Sequence, residues 1–382
     1  MQPRIPVEIV GLIIDIVAQA EKKLDDQCRN IKAWSLTCRA FLPQCRSHIF
    51  ADINADSWNK LPNLCRLLKD SPWIGHYVPS LKLGLPYGFQ RDLLSELPHL
   101  KNVVRLKSFF IDGHLSSWLY IPLPVQSIIL HLMHLPTIDT IGFINISDMS
   151  PLHLAPCNLD SLTLDDESFD GKRCPARTIK CHRLFLKERK TITNTIKTLS
   201  KDQFDRRLLK CLHLTATTGM YQDSETLHCQ LLTEMPFLEE LEIRLFEDNF
   251  YYNFSSALAS APPTLKSLKI CITIASLRDV PHLVKGIQQA ADTVGHIVEH
   301  LTLNVLSDTS SIFQFPLVEG VLEDPGLAAD TPISSEGNEL KLRLYKFLED
   351  RNVRFFYSIT PRSFQERDYE VEEIDWQEMV WD

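Results

Sequence analysis

One template recurs along this chain: an apolar residue followed three and five positions later by two more. It occurs at Val78-Leu81-Leu83, Val125-Ile128-Leu130, Leu159-Leu162-Leu164, Cys181-Leu184-Leu186, Leu209-Leu212-Leu214, Leu238-Leu241-Ile243, Leu265-Leu268-Ile270 and Val298-Leu301-Leu303. Alternate residues of a strand share a face, so the last two members of each triplet point to the same side of a short strand. Central positions follow one another at intervals of about 22 to 47 residues, with four close to 22 to 29, the length of one supersecondary unit in a repeat array. The uneven spacing leaves room for one further turn, expected around Leu97 to Leu106.

Helical patterns fill the gaps, as in Leu227-Leu231-Met235 before Leu238 and His282 to Val298 before Leu301. Proline stands at the junctions Pro98, Pro124, Pro156, Pro236 and Pro262-Pro263, where it closes one element and opens the next. Strand and helix therefore alternate, which places the chain in the α/β class with parallel strands. The triplets resemble leucine-rich repeats with long helical returns, and the resemblance implies an irregular horseshoe-shaped solenoid over residues 54–318. No consistent Asn or Cys follows the strands to build a hydrogen-bonded ladder, so uneven turns are expected. An ordinary parallel α/β domain would need longer β-branched strands and glycine-rich ligand loops. With 13 glycines and neither G-x-G-x-x-G nor G-x-x-x-x-G-K, that alternative is the weaker one.

The first fifty residues follow a different rule. Val7, Ile9, Val10, Leu12, Ile13, Ile14, Ile16 and Val17 cover every face of a helix from Val7 to Ala18 except the one carrying Glu8, Gly11 and Asp15. A helix apolar nearly all round must be buried nearly all round. A three-helix segment can cover only part of it, so one stripe is left for the rest of the chain or for another protein. Next, Ile31, Trp34, Cys38 and Phe41 form one helical stripe and Ala33, Leu36 and Ala40 another, again implying two neighbours. Pro43 fits the first turn of a short third helix, Leu42 to Phe50.

These residues resemble the F-box domains, in particular the divergent kind common in basidiomycete fungi. The resemblance rests on Ile5-Pro6-Val7-Glu8-Ile9, on Leu12-Ile13-Ile14-Asp15 and on Trp34-Ser35-Leu36-Thr37-Cys38-Arg39-Ala40-Phe41. It implies a module, residues 1–53, that docks on a Skp-type adaptor and joins a cullin-based (SCF-type) ubiquitin ligase, while the remaining chain holds a protein substrate. Carried onto this sequence, the adaptor-binding residues are Pro6, Ile9, Leu12, Ile13, Leu36 and Cys38. Departures from the family pattern are Ile5 in place of Leu, a bulky Trp34 in place of a small residue, and a lengthened charged connection, Ala20 to Asn30. Two readings compete with it. The helices can simply cap a repeat scaffold that has nothing to do with ubiquitin, since a solenoid needs a terminal unit. A secretory signal is disfavoured by Glu8 and Asp15, because an acidic residue mid-segment costs roughly 2.5 to 3.5 kcal/mol on insertion scales.

Charge sets further limits. With 40 basic and 49 acidic residues the net charge is −9, which argues against nucleic acid or an anionic membrane as partner. No apolar run reaches the eighteen or so residues of a membrane span. Ten cysteines, mostly in apolar contexts, read as reduced core residues of a cytoplasmic or nuclear protein. No C-x-x-C pair, H-E-x-x-H helix or G-x-S-x-G elbow is present, so no metal, cofactor or catalytic residue is expected. Asp165-Asp166-Glu167 follow a predicted strand with nothing to support acid-base work. His131, His134, His213 and His228 read as satisfied edge residues. Toward the C-terminus, residues 319–338 read as a mobile loop, 339–365 as a closing helix and strand, and 366–382 as a disordered tail of eight acids and one Arg interleaved with Tyr369, Ile374, Trp376, Val380 and Trp381.

Overall fold

A computed structural model of the chain describes residues 6–23, 28–56, 60–85, 91–165, 168–169, 178–188, 204–216, 232–245, 258–274 and 300–307. They fall into two compact units, residues 1–182 with 202–205, and residues 183–201 with 206–382. The expected loop 319–338, closing segment 339–365 and acidic tail lie outside the described residues, as does the helical pattern of His282 to Val298.

The first unit begins with three helices, α1 (Val7–Lys23), α2 (Arg29–Ser35) and α3 (Leu42–Ile49). Ile14, Ala18, Ile31 and Cys45 form their core, with Val10, Val17, Trp34, Phe41 and Ile49 packed on its margin. Pro43 sits in the first turn of α3, where its missing N–H leaves no bond unmade. The end of α1 is tied to the start of α2 by the buried Glu21, which accepts the backbone N–H of Asn30 at 2.6 Å. The chain turns between them through Cys28 at φ 56.

Parallel strands follow: β1 (Asp52–Ala55), β2 (Ser80–Gly84), β3 (Ser108–Ser117), β4 (Thr140–Met149) and β5 (Asn158–Asp165), with β6 (Ser168–Phe169) paired to the far end of β4. Each pairs with its neighbour in sequence. The returns between them are α4 (Lys60–Asp70), α5 (Arg91–Glu96), α6 (Leu123–Met133) and short 3-10 turns. In register, Ile53, Leu81, Phe109, Ile141 and Leu162 make one inward ladder, and Ala55, Leu83, Ile111, Phe143 and Leu164 a second. A backbone staple repeats at each step: the Pro79 carbonyl accepts the N–H groups of Lys107 and Ser108, that of Lys107 accepts Asp139 and Thr140, and that of Asp139 accepts Asp160 and Ser161. Side chains satisfy other turn groups one by one. Thr137 donates to the Leu106 carbonyl at 2.6 Å and Asn102 to that of Leu68 at 3.1 Å, so no single residue type marks the turns. Gly142 is required by close approach, since a Cβ there would lie 2.1 Å from the Phe110 ring of the neighbouring strand.

The second unit continues the pattern by itself. Strand β7 (Lys180–Glu188) contributes Arg183 onward, followed by β8 (Cys211–Ala216), β9 (Glu240–Leu245), β10 (Ser267–Ile274) and β11 (His300–Ser307). All pair in parallel and in sequence order, with Leu184, Leu212, Leu241, Leu268 and Leu301 as one ladder. The staple recurs here, with Lys210 accepting from Glu239 and Glu240, and Glu239 from Lys266 and Ser267.

Three expectations need correction. Val125-Ile128-Leu130 lies in α6, not in a strand. Val125, Ile128, Ile129 and Leu132 are all buried, a helical face whose first step of three also satisfies the strand template. The strand of that turn carries Ile138-Ile141-Phe143 instead. The missing turn lies slightly later than Leu97 to Leu106, because Leu97–Asn102 forms a 3-10 return and Leu106-Phe109-Ile111 leads into β3. So placed, the central residues are about 21 to 33 residues apart throughout both units, a tighter repeat than the sequence alone gave. The sheet also begins earlier than residue 54, since β1 opens at Asp52.

Candidate docking surfaces

Helix α1 has more apolar surface than its neighbours cover. Successive residues turn by about 100°, so Ile9, Leu12, Ile13 and Ile16 occupy one continuous arc, opposite Ile14, Ala18 and Glu21. The inner arc is buried. On the outer arc Ile9 is 48% exposed, Leu12 59%, Ile13 43% and Ile16 57%. Isolated exposed apolar residues are ordinary, but four branched side chains on one helix face are not. Pro6 is also exposed at the start of α1, and its carbonyl accepts the N–H groups of Ile9 and Val10.

The second helix divides in the same way. Ile31 is buried and Trp34 and Phe41 pack on the module core, whereas Ala33, Leu36 and Ala40 are exposed. Leu36, at the C-terminal end of α2, is the most exposed large apolar residue among the described residues at 88%. Trp34 is half-buried, with its ring packed on the module core. Of the six residues expected to bind an adaptor, Pro6, Ile9, Leu12, Ile13 and Leu36 are exposed, and Cys38 is half-buried in the turn after α2.

Polar contacts fix the posture of this surface. Asp15 lies beside the exposed arc and accepts hydrogen bonds from Gln44 and from His48, the latter at 2.6 Å, which join α1 to α3. Those bonds hold its carboxyl below the usual range against the opposing effect of burial. On α3, the Arg46 guanidinium lies 3.8 Å from the Trp73 ring, which meets Tyr77 edge-on at 6.2 Å. The helices are thereby anchored to the first return of the sheet by a cation–π contact.

A second surface was not foreseen from the residues. On the outer face of the second unit's sheet, Phe185, His213, Glu242 and Lys269 stand in register on β7, β8, β9 and β10. Glu242 is 5% exposed. His213 Nδ1 lies 2.9 Å from its Oε2, Arg244 donates Nε–H to Oε1 at 2.5 Å, and Lys269 Nζ is 3.5 Å from Oε2. Burial alone would push the carboxyl up; the hydrogen bond from His213 and the charge and hydrogen bond of Arg244 outweigh it and hold it at about 2. The Phe185 ring stacks on His213 with centroids 4.3 Å apart. His213 Nε2 also meets the Cys211 thiol at 3.0 Å. Thiol, imidazole and carboxylate are thus aligned as in a nucleophilic triad. Burial, reinforced by Glu240, pushes that thiol up to about 12, the opposite of what an attacking sulfur needs. His213 is therefore an engaged residue, as its sequence context implied, while Glu242 and Arg244 carried no local signal that distinguished them from other strand charges.

Among the described residues no group of three His, Cys, Asp or Glu side chains is arranged to hold a metal ion, and no helix is long and apolar enough to cross a membrane. Their cysteines are free thiols, most of them buried. No family model matches this chain, and no curated protein matches it either.

Proposed function

We propose that the chain is the substrate-receptor subunit of an SCF-type ubiquitin ligase, in which an N-terminal F-box-like module binds a Skp-type adaptor and a leucine-rich-repeat-like sheet holds a protein substrate. The observation that carries this reading is the outward arc of Ile9, Leu12, Ile13 and Ile16, with Leu36 on the neighbouring helix. An apolar helix face of this kind enters a partner groove through residues at spacings of three and four. Full burial of such a side chain contributes roughly 1.5 to 3 kcal/mol, and these five stand 43% to 88% exposed, so the gain is of the same order as association costs of about 4 to 15 kcal/mol. Proximity is what such a subunit supplies, by raising the effective concentration of substrate at the ligase.

The competing reading makes the helices a cap on a repeat scaffold. It requires their apolar surplus to face the sheet. The surplus faces solvent, which favours the receptor. The deciding experiment is co-purification of the chain with a Skp-type adaptor, comparing wild type with the double change Ile9→Asp and Leu36→Asp. Retention by wild type and loss in a folded double variant is the expected result. A well-folded wild type that captures no adaptor would leave the capped scaffold as the better account.

A further inference from the structure

The charges on the second unit's sheet face do not balance. Arg183, Lys187, Arg244 and Lys269 stand on it against Glu240 and Glu242, and Arg244, Lys269 and His213 converge on the Glu242 carboxylate. This happens in a chain whose net charge is −9, so the local excess runs against the composition. Nor is Glu242 a neutral bystander. Its carboxyl is held at about 2, and as ions it and Glu240 offset two of the four fixed positive charges and leave two over. Its effect on the others is positional: long side chains that would otherwise sample many rotamers are gathered within 3.5 Å of one buried point.

The gathered groups remain accessible. Their side chains are 25% exposed for His213, 35% for Arg244 and 33% for Lys269. A guanidinium has five N–H donors and an ammonium three, far more than two carboxylate oxygens can accept. Beside them the half-buried Phe185 ring, stacked on His213, offers an apolar floor. Strands about 4.8 Å apart hold these side chains in fixed rows.

We infer that this face binds an acidic polypeptide segment, whose carboxylates pair with Arg244 and Lys269 while a neighbouring apolar side chain rests on Phe185. Charge complementarity selects this occupant. A carboxylate pairs with a guanidinium in two parallel hydrogen bonds, and Glu240 and Glu242 on the same strand interrupt the continuous positive track that a nucleic-acid backbone needs. The inference deepens the receptor reading, on which it rests for the identity of the bound segment as substrate, and names an acid-rich stretch as the feature recognised.

The test is fluorescence anisotropy of a labelled oligo-glutamate peptide added to the full chain, with an oligo-glutamine peptide of equal length as control. Wild type is expected to bind the glutamate peptide and not the glutamine one, with affinity falling steeply as salt is raised. Arg244→Gln and Lys269→Gln are each expected to weaken binding about tenfold, and Lys269→Arg to retain it. Lys269, the more loosely held of the two, gives the same test alone if Arg244→Gln unfolds. Equal binding of the two peptides would overturn the inference, as would binding indifferent to both substitutions. Binding that appears only when residues 366–382 are removed would support the face and overturn a substrate as its occupant, naming the chain's own acidic tail as the segment it holds. The double variant Ile9→Asp and Leu36→Asp separates the two ideas: it should lose the adaptor and keep the peptide. A wild type that binds peptide but no adaptor would sink the receptor reading and leave the acidic-segment site standing.

Discussion

On α1, four branched apolar side chains stand in solvent while Asp15 is tied down by His48 and Gln44. On β9 the reverse holds, with a carboxylate buried to 5% exposure and cationic side chains left accessible around it. The helical surface retains unburied apolar area that contributes free energy only when a partner covers it. The sheet surface carries a desolvation cost already offset inside the chain by hydrogen bonds and opposite charge. Truncating the first should therefore change binding and leave folding alone. Truncating the second should change folding first.

The sharpest way to break that contrast is Glu242→Ala. It removes the buried carboxylate that Arg244, Lys269 and His213 share, and about 3 to 5 kcal/mol of stability should go with it by denaturant unfolding. A loss under about 1 kcal/mol would mean that the cluster holds no buried charge worth the name. Acid should act through the same residue. A carboxyl depressed from 4.5 to about 2 contributes stability that is fully present above its unfolded value and is lost as pH falls through the folded one. Between pH 4.5 and 2, wild type should lose about 3 kcal/mol that a Glu242→Gln variant lacks throughout. Gly142→Ala, which sets a methyl against the Phe110 ring, should cost about 2 kcal/mol, read as a lower midpoint in the same unfolding assay.

The smallest effects sharpen the comparison within α1 itself. Ile14→Val, at a position 1% exposed, should cost about 1 kcal/mol. Leu12→Ala, at 59% exposed, should stay within about 0.5 kcal/mol of wild type although it removes more carbon. If Leu12→Ala proved the costlier of the two in the isolated chain, the outer arc would be packed in solution and the docking reading would lose its support.

Much of this arrangement was legible in the residues. The surplus on α1 followed from counting apolar positions around the helix, and the two stripes of α2 followed from the spacing of Ile31, Trp34, Leu36 and Ala40. Of the two, the stripe carrying Trp34 is the one that packs on the core. The strand template placed β2, β5 and every strand from β7 to β11. It failed at Val125 because a step of three serves a helix as well as a strand, and only the next residues separate the two: Ile129 and Leu132 continue the helical face. Leu106-Phe109-Ile111 and Ile138-Ile141-Phe143 also satisfy the template and lead into the two strands it left unplaced between β2 and β5.

The sequence by itself determined the alternation of strand and return, the inward leucine ladders and the excess of apolar surface at the N-terminus. Each depends on residues close in the chain, where helix and strand periods decide which side chains share a face. Only the tertiary structure decided that His213, Glu242 and Lys269 would meet. They lie on three strands separated by long returns, and nothing in Leu241-Glu242-Ile243 distinguishes a buried carboxylate from an exposed one. Parallel pairing set the register that brought His213, Lys269 and Arg244 over it, and burial of a charge is a property of that register rather than of the local sequence.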